Sequence, residues 1–343
     1  MIQPQVGFDI KIDIVYTWVD GSDPDWQARK KTKLEEINQV LPEANCDARF
    51  MDNNELKYSL RSIHKFASWV NNIFIVTDNQ KPDWLNTANP KIKLVDHKDI
   101  FNDTSTLPTF SARGIESQLH HIKDLSEHFI YFNDDMFLGS RSTPDQFFID
   151  EKTCRVFVSE IIAIPNKKAF NIALRKEENR NDHQHAIVNT RKLIRDKFNR
   201  RIFYNIRHGA KPLLKSVLFN LENLFHEDLV KTSKNSFRTE DDILMFHLFE
   251  YYSLIKGIGK SKYLKTVKKG NSLSGFNRLN KRYTFGYINF HDSDVEEKLE
   301  VIQNNRPFML CLNHTPTTPE KNLELLDKFL IEFYPEKSPF EKN

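Results

Sequence analysis

Between residues 12 and 135, short runs rich in β-branched and aromatic residues alternate with longer stretches of helical periodicity. The strand-like runs are "IDIVYTWV" (12–19), "NIFIVTD" (72–78), "KIKLVDH" (91–97) and "HFIYFNDD" (128–135). Between them, "NNELKYSLRSIHKFASW" (53–69) repeats Leu56, Leu60, Ile63 and Phe66 at helical spacing, and "ARGIESQLHHI" (112–122) does the same with Ile115, Leu119 and Ile122. Strands alternating with helices predict an α/β fold with a mostly parallel sheet. Residues 10–160 form its expected core.

The second half reads differently. The charged stretch 175–185 predicts a loop or flap, and "NTRKLIRDKFNRRIF" (189–203) a basic helix. Two amphipathic helices are expected over 212–225 and 239–257; Thr239 is placed to cap the second, with Asp241 and Asp242 in its first turn and Gly257 ending it. Residues 186–260 are thus a helical subdomain in expectation, and 258–290 irregular loops or short strands. "RPFMLCLN" (306–313) and "TPEKNLELLDKFLIEFY" (318–334) give a closing strand and helix within 300–343, all in one catalytic domain of 1–343.

Composition excludes more than it selects. Hydrophobic residues are 39% and charged residues 28%, ordinary for a globular chain. The net charge of +3 gives no ground for nucleic acid, and any anion site must be local. Cys46, Cys154 and Cys311 lie far apart without a CxxC pair, so neither a zinc framework nor disulfides are expected. No secretory leader is evident at the start, which reads as a native N-terminus, and no apolar run is long enough to span a bilayer. A soluble, cytoplasmic protein is expected.

Chemistry should gather at the carboxyl ends of the strands, where open parallel sheets bind ligands. Asp20, Asp23, Asp78 and the pair Asp134-Asp135 all fall there. Two adjacent carboxylates after a buried strand repel one another unless a cation meets them, and Mg²⁺ is commonly held by one or two carboxylates and substrate phosphates. A helix N-cap is the plainer explanation for such residues, and a capped turn explains Asp23-Pro24 equally well. His208 is a proton acceptor by type, and Arg238 stands at an expected helix N-terminus, where anions bind. The alternatives are a structural histidine and an ion pair from Arg238 to Asp241 or Asp242.

Four blocks, in order, resemble the Stealth family of sugar-phosphate transferases. They are "DIVYTWVDGSDP"; the long block from "ARFMDNNELKYSLRSI" through "IFIVTDNQKPDWL" and "LPTFSARGIESQLHHI" to "FIYFNDDMF"; "HGAKP" with "NSFRTEDDI"; and "FMLCLN". The resemblance implies a nucleotide-sugar transferase-like (GT-A-like) fold. It also implies attack by an acceptor hydroxyl on the sugar-linked phosphorus of a UDP-sugar, releasing UMP. Family positions fall on Asp20, Asp23, Glu55, Lys57, Arg61, Glu116, His120, Asn133, Asp134, Asp135, His208, Arg238 and Asp242. The roles so implied are catalytic for His208 (general base), Arg238 (phosphoryl neutralisation) and Asp20. Asp20, Asp23, Arg61, Asn133 and Asp134 are implied for the donor. Asp134 and Asp135, helped by Asp242 or Asp20, are implied for Mg²⁺, with Mn²⁺ as its substitute.

The chain departs from the family pattern at Arg113, where relatives carry histidine, at His314, where Asp is common, and at Gly209-Ala210-Lys211. The expected function is transfer of a hexosamine 1-phosphate, N-acetylglucosamine 1-phosphate by preference, to a hydroxyl of a capsular or surface polysaccharide or a glycolipid. Peripheral association with capsule machinery at the inner face of the membrane would accompany it. The rivals are a glycosyltransferase releasing UDP and an inactive polysaccharide-binding relative.

Overall fold

The structure is a computed structural model that describes residues 10–37, 40–42, 44–46, 49–159, 180–202, 205–267, 284–315 and 317–342. Its main sheet begins with β1 (Ile12–Thr17), whose first five residues are buried, as a strand covered on both faces requires. Helices α1 (Pro24–Glu36) and α2 (Glu55–Phe66) lead to β2 (Ile73–Thr77), and β3 (Ile92–Asp96) follows directly. The segment predicted as one helix over 112–122 divides into α3 (Ala112–Glu116) and a 3-10 turn, Leu119–His121. Then comes β4 (His128–Asn133).

Strands β1 to β4 pair in parallel in the order β3-β2-β1-β4. The chain runs outward from β1 to β3 and returns to the other side of β1, so β1 and β4 bound a topological switch point, where such sheets open a crevice. Their register aligns Thr17 with Asn133. The expectation of a mostly parallel α/β core flanked by helices is met.

Asp134 and Asp135 form the corner at which the chain leaves this sheet. β5 (Met136–Leu138) belongs to a second sheet, antiparallel to β11 (Met309–Asn313), which lies parallel to β10 (Phe285–Asn289). Helix α2 is fixed across β5 by Ser59 Oγ donating to Met136 O at 2.6 Å and Leu138 N donating to Ser62 Oγ at 3.1 Å. This aims Glu55, at the start of α2, toward the same corner.

The second half departs from expectation in several places. A third sheet is formed by β6 (Phe148–Asp150), β7 (Thr153–Val158) and β9 (Gly259–Tyr263), so part of 258–290 is regular strand; residues 268–283, with Gly270 and Gly275, lie outside the described residues. The charged stretch ends inside helix α4 (Asp182–Phe198), while 175–179 lie outside the description. The helix predicted from residue 212 begins as β8 (Lys211–Leu214), an edge strand antiparallel to β4, before α5 (Lys215–Leu224) and α6 (His226–Lys234). Pro212 suits that edge, since it has no N–H to leave unpaired.

Helix α7 starts at Met245, not Thr239, and ends at Lys256 with Gly257 at φ 77° in the left-handed cap. Its expected first turn is unwound, and Asp242 is buried there with its carboxylate accepting from Arg113, Asn235 and Thr239. Helix α8 (Val295–Asn305), which the periodicity had not distinguished, and α9 (Glu320–Phe333) complete the chain. No helix among the described residues is long and apolar enough to cross a membrane.

Candidate active site

At the β1/β4 crevice lies a cavity of about 670 Å³, lined among others by Glu55, Asn133, Asp134, Asp135, His208, Arg238, Asn313 and His314. Its volume is in the range of small-ligand sites. A branch of about 140 Å³ shares Asn133, Asp134 and Arg238 and is walled by Trp18, Trp26, His97 and Phe110.

One wall is acidic. Asp134 Oδ1 accepts from the Asp135 backbone N–H at 3.1 Å, and Asp135 Oδ2 accepts from Asn313 Nδ2 and Cys311 Sγ, each at 3.4 Å. The other oxygen, Asp135 Oδ1, is buried without a hydrogen-bond partner among the described residues. Glu55 accepts from the Asn53 backbone and side chain and lies 3.4 Å from His314 Nε2. Desolvation, and then the Glu55, Asp135 and Asp52 charges, push the Asp134 pKa well above the ordinary carboxylate value. Burial first, with Glu55 adding to it, raises Asp135 to about 6, and burial with Glu55 raises Asp52 to about 6. His314 is the basic group beside them, its pKa raised by the Glu55 hydrogen bond. A buried carboxylate cluster with an orphaned oxygen fits an oxygen-seeking divalent cation.

The opposite wall is basic. Arg238 is anchored on both sides: Phe237 stacks on Phe110 with ring centroids 5.2 Å apart, and Thr239 N donates to Asp242 Oδ2 at 2.9 Å. Its guanidinium makes no hydrogen bond or ion pair with any described residue, and desolvation, then Arg49 and Arg113, lower its pKa to about 10. The expected ion pairs to Asp241 and Asp242 do not form. Asp241 meets Lys231 at 2.8 Å, and Asp242 meets Arg113 at 3.1 Å. Arg113 also takes Asp182 at 2.8 Å.

His208 opens toward the cavity from the turn before β8. That turn is held by Arg207 N donating to Phe157 O and by the Ala210 N contact with Met309 Sδ at 3.2 Å. A Cβ on Gly209 would come within 2.8 Å of the same sulfur, so the turn approaches β11 too closely for a side chain there. The His208 side chain is exposed at the cavity, and desolvation by the surrounding walls, then the Lys211, His183 and Arg238 charges, push its pKa below the ordinary imidazole value. The ring is therefore neutral near pH 7, the form that accepts a proton.

Of the residues singled out by sequence, the crevice thus gathers Glu55, Asn133, Asp134, Asp135, His208 and Arg238, and its lining does not include Asp20, Asp23, Arg61 or Asp242. Asp20 lies in a neighbouring cavity with Asp52, its Oδ1 accepting from Ser22 N and Oγ at 2.8 and 2.6 Å. Asp23 caps α1, accepting from Asp25 N, Trp26 N and Gln80 Nε2, which is the capped-turn alternative. Arg61 is turned away into a buried pair with Glu341 at 2.7 Å and a bond to Tyr334 O at 2.9 Å, which holds the C-terminal segment on α2. Asp242 is fully buried and spends its oxygens on Arg113, Thr239 and Asn235, leaving it as a structural acceptor rather than a cleft ligand. Asp78 pairs with Arg29 at 2.8 Å.

Asp52, Arg49 and Cys311 had no assigned role in the sequence reading, and His314 stood only as a departure. The signal for Cys311 and His314 was their place at the end of an apolar strand; Arg49 and Asp52 lie in irregular chain that periodicity does not read.

Family models for Stealth conserved regions 1, 2 and 3 match residues 11–32, 49–156 and 207–254. The fourth block quoted above lies beyond these ranges. Among curated relatives, Exopolysaccharide phosphotransferase SCO6021 of Streptomyces coelicolor is 35% identical over 336 residues, covering 96% of this chain and 57% of its own. Exopolysaccharide phosphotransferase CpsY of Mycobacterium leprae is 34% identical over 344 residues, covering 98% of this chain and 58% of its own. The chain thus spans little more than half the length of these relatives. Among solved structures, the galactosyltransferase LgtC with donor and acceptor sugar analogs aligns over 94% of this chain and 95% of its own at 10% identity and TM-score 0.41. The WbbM bifunctional glycosyltransferase aligns over 96% of this chain and 50% of its own at 13% identity and TM-score 0.40. On the three conserved regions matched in order, the chain belongs to the Stealth family.

Proposed function

We propose that this chain transfers a sugar 1-phosphate, a hexosamine 1-phosphate by preference, from a UDP-sugar to a hydroxyl of a surface polysaccharide or glycolipid. The acceptor oxygen bonds to the sugar-linked phosphorus, the bond from that phosphorus to the bridging oxygen breaks, and UMP leaves. The hydroxyl proton passes to His208. The observation that carries this reading is a carboxylate corner with an orphaned Asp135 oxygen facing, across one cavity, an Arg238 that forms no ion pair with any described residue. A nucleoside diphosphate with a divalent cation matches both walls at once, and phosphoryl transfer depends chiefly on positioning and charge neutralisation.

In this reading Asp134 and Asp135 hold Mg²⁺, which when bound neutralises charge on the diphosphate; Mn²⁺ would substitute. Asp242 and Arg61 take no part in binding, and Asp20 acts from the neighbouring cavity on the donor side. Arg238 faces the transferred phosphoryl, and the aromatic branch beside Trp18 and Trp26 is the seat for the nucleobase. The relatives' printed name, exopolysaccharide phosphotransferase, supports the acceptor class. Nucleotide-sugar supply would place the reaction in the cytoplasm, at the inner face of the membrane.

The deciding experiment incubates the protein with Mg²⁺, UDP-N-acetylglucosamine and a short phosphosaccharide acceptor and identifies the nucleotide by chromatography. UMP is expected. UDP would mean glycosidic transfer and overturn the reading.

A further inference from the structure

Away from the cleft, three donor atoms from two segments converge. His120 and His121 are consecutive in the 3-10 turn that leads into β4, and Glu222 lies in the last turn of α5. Glu222 Oε2 is 3.0 Å from Nε2 of His120 and 3.0 Å from Nε2 of His121. The His120 side chain is wholly buried, while His121 and Glu222 keep 11% and 19% of theirs exposed, so the spot is shielded yet reachable. Phe219 closes over it, edge-on to His120 with centroids 4.7 Å apart.

Proton accounting makes the cluster unusual. His121 Nδ1 is 3.0 Å from Ile100 O, and a carbonyl only accepts, so Nδ1 carries the hydrogen. A neutral His121 then points the lone pair of Nε2 at a carboxylate oxygen, and lone pair facing lone pair at 3.0 Å is repulsive. Only a second proton or a cation between them turns that contact into attraction.

We infer that His120, His121 and Glu222 form a binding site for one divalent transition-metal ion of the zinc class, separate from the catalytic cleft. Two imidazole nitrogens and one carboxylate oxygen are a zinc-type donor set, whereas Mg²⁺ prefers oxygen alone. Donors that each lie about 2.0–2.1 Å from one ion stand about 3 Å apart; the Glu222 oxygen is 3.0 Å from each imidazole nitrogen, and all three donor atoms fall within 4.8 Å of one another. His121 also has the outer partner that metal-bound histidines use, an Nδ1–H donated to a backbone carbonyl. His120 Nδ1 finds no partner among the described residues, so His121 and Glu222 are the stronger two ligands. The ion would tie the turn between α3 and β4 to α5, fixing the approach to Asp134 and Asp135 from behind.

Asp135, His208 and Cys311 bring their own donor atoms within 4.8 Å of one another, so the test removes that set first. The Asp135→Ala chain is stripped with a chelator, dialysed against buffered Zn²⁺ and assayed for metal per chain, and Co²⁺ is then substituted for its absorption spectrum. One ion per chain is expected, with Co²⁺ bands of an N/O site lacking thiolate absorption. His121→Gln or Glu222→Gln in that background should weaken binding at least ~10-fold, with circular dichroism confirming the fold. Glu222→Gln keeps the helix and the shape, so it decides alone if His121→Gln fails to fold. No ion in the Asp135→Ala chain, or undiminished Zn²⁺ in the Glu222→Gln chain, would overturn the site in favour of an imidazolium–carboxylate pair.

Discussion

The two walls of the cleft handle their charges in opposite ways. On the sheet side, Glu55, Asp52, Asp134 and Asp135 face one another with His314 as their basic neighbour, and burial with mutual repulsion raises the pKa of Asp52, Asp134 and Asp135. On the helical side, most cations have carboxylates of their own. Arg113 holds Asp182 and Asp242, and Lys211 holds Glu250 at 3.1 Å, while Arg238 is left over. Buried charges normally come paired, so a group on each wall without a hydrogen-bond or ion-pair partner among the described residues, Asp135 Oδ1 and Arg238, points to where a ligand would supply one. Arg113, the departure from the family pattern, takes the ion pairs with Asp182 and Asp242, and Arg238 feels the Glu116 and Asp182 charges without forming an ion pair with a described residue.

If the walls divide the work in this way, their residues should fail differently on mutation. His208→Ala is expected to lower transfer by about 10²–10⁴-fold with the fold intact, as for loss of a general base. Arg238→Lys should lose about 10²-fold in kcat, because a point charge does not replace the guanidinium fork. Full activity in either variant, measured as UMP release, would remove that residue from the chemistry. Arg113→Met should instead unfold the protein more easily, by about 3–5 kcal/mol in denaturant titration, because it strands two buried carboxylates. An Arg113 variant as stable as the parent but inactive would reverse the assignment and make Arg113 the cleft arginine.

The sequence carried the sheet side of this contrast far better than the helical side. Strands β1 to β4 are buried on both faces and read as apolar runs, and their carboxyl ends follow from the strand order, so Asn133, Asp134 and Asp135 were placed by periodicity and topology. The helical side depends on side chains that meet from distant segments. Asp242 looked like a first-turn residue of a helix, yet its four donors come from Arg113, Asn235 and Thr239, a contact set that no local pattern encodes. Arg61 failed for the same reason, since its partner Glu341 is 280 residues away. Lys211–Leu214 is too short for its alternation to outweigh the helical run beyond it, and only pairing with β4 makes it a strand.

The smallest expected effect tests the acidic wall directly. Asp135 has a folded pKa of about 6, above the ordinary carboxylate value of 3.8. A raised pKa stabilises the fold fully below the unfolded value, and that contribution is lost as pH rises through about 6. Above that point the wall is charged and self-repelling, and a divalent cation bound there should restore stability. Millimolar Mg²⁺ should therefore raise Tm by roughly 2–4 °C at about pH 8 and leave it unchanged at about pH 5, where the carboxyls are protonated. Asp135→Asn removes one of the repelling charges, so it should raise Tm at about pH 8 without Mg²⁺ and blunt the response to the ion. A Mg²⁺ shift of equal size at both pH values would place the ion elsewhere on the surface. If no shift occurs at about pH 8, the corner tolerates its carboxylates without a cation, and the uncompensated wall would have to be explained by substrate alone.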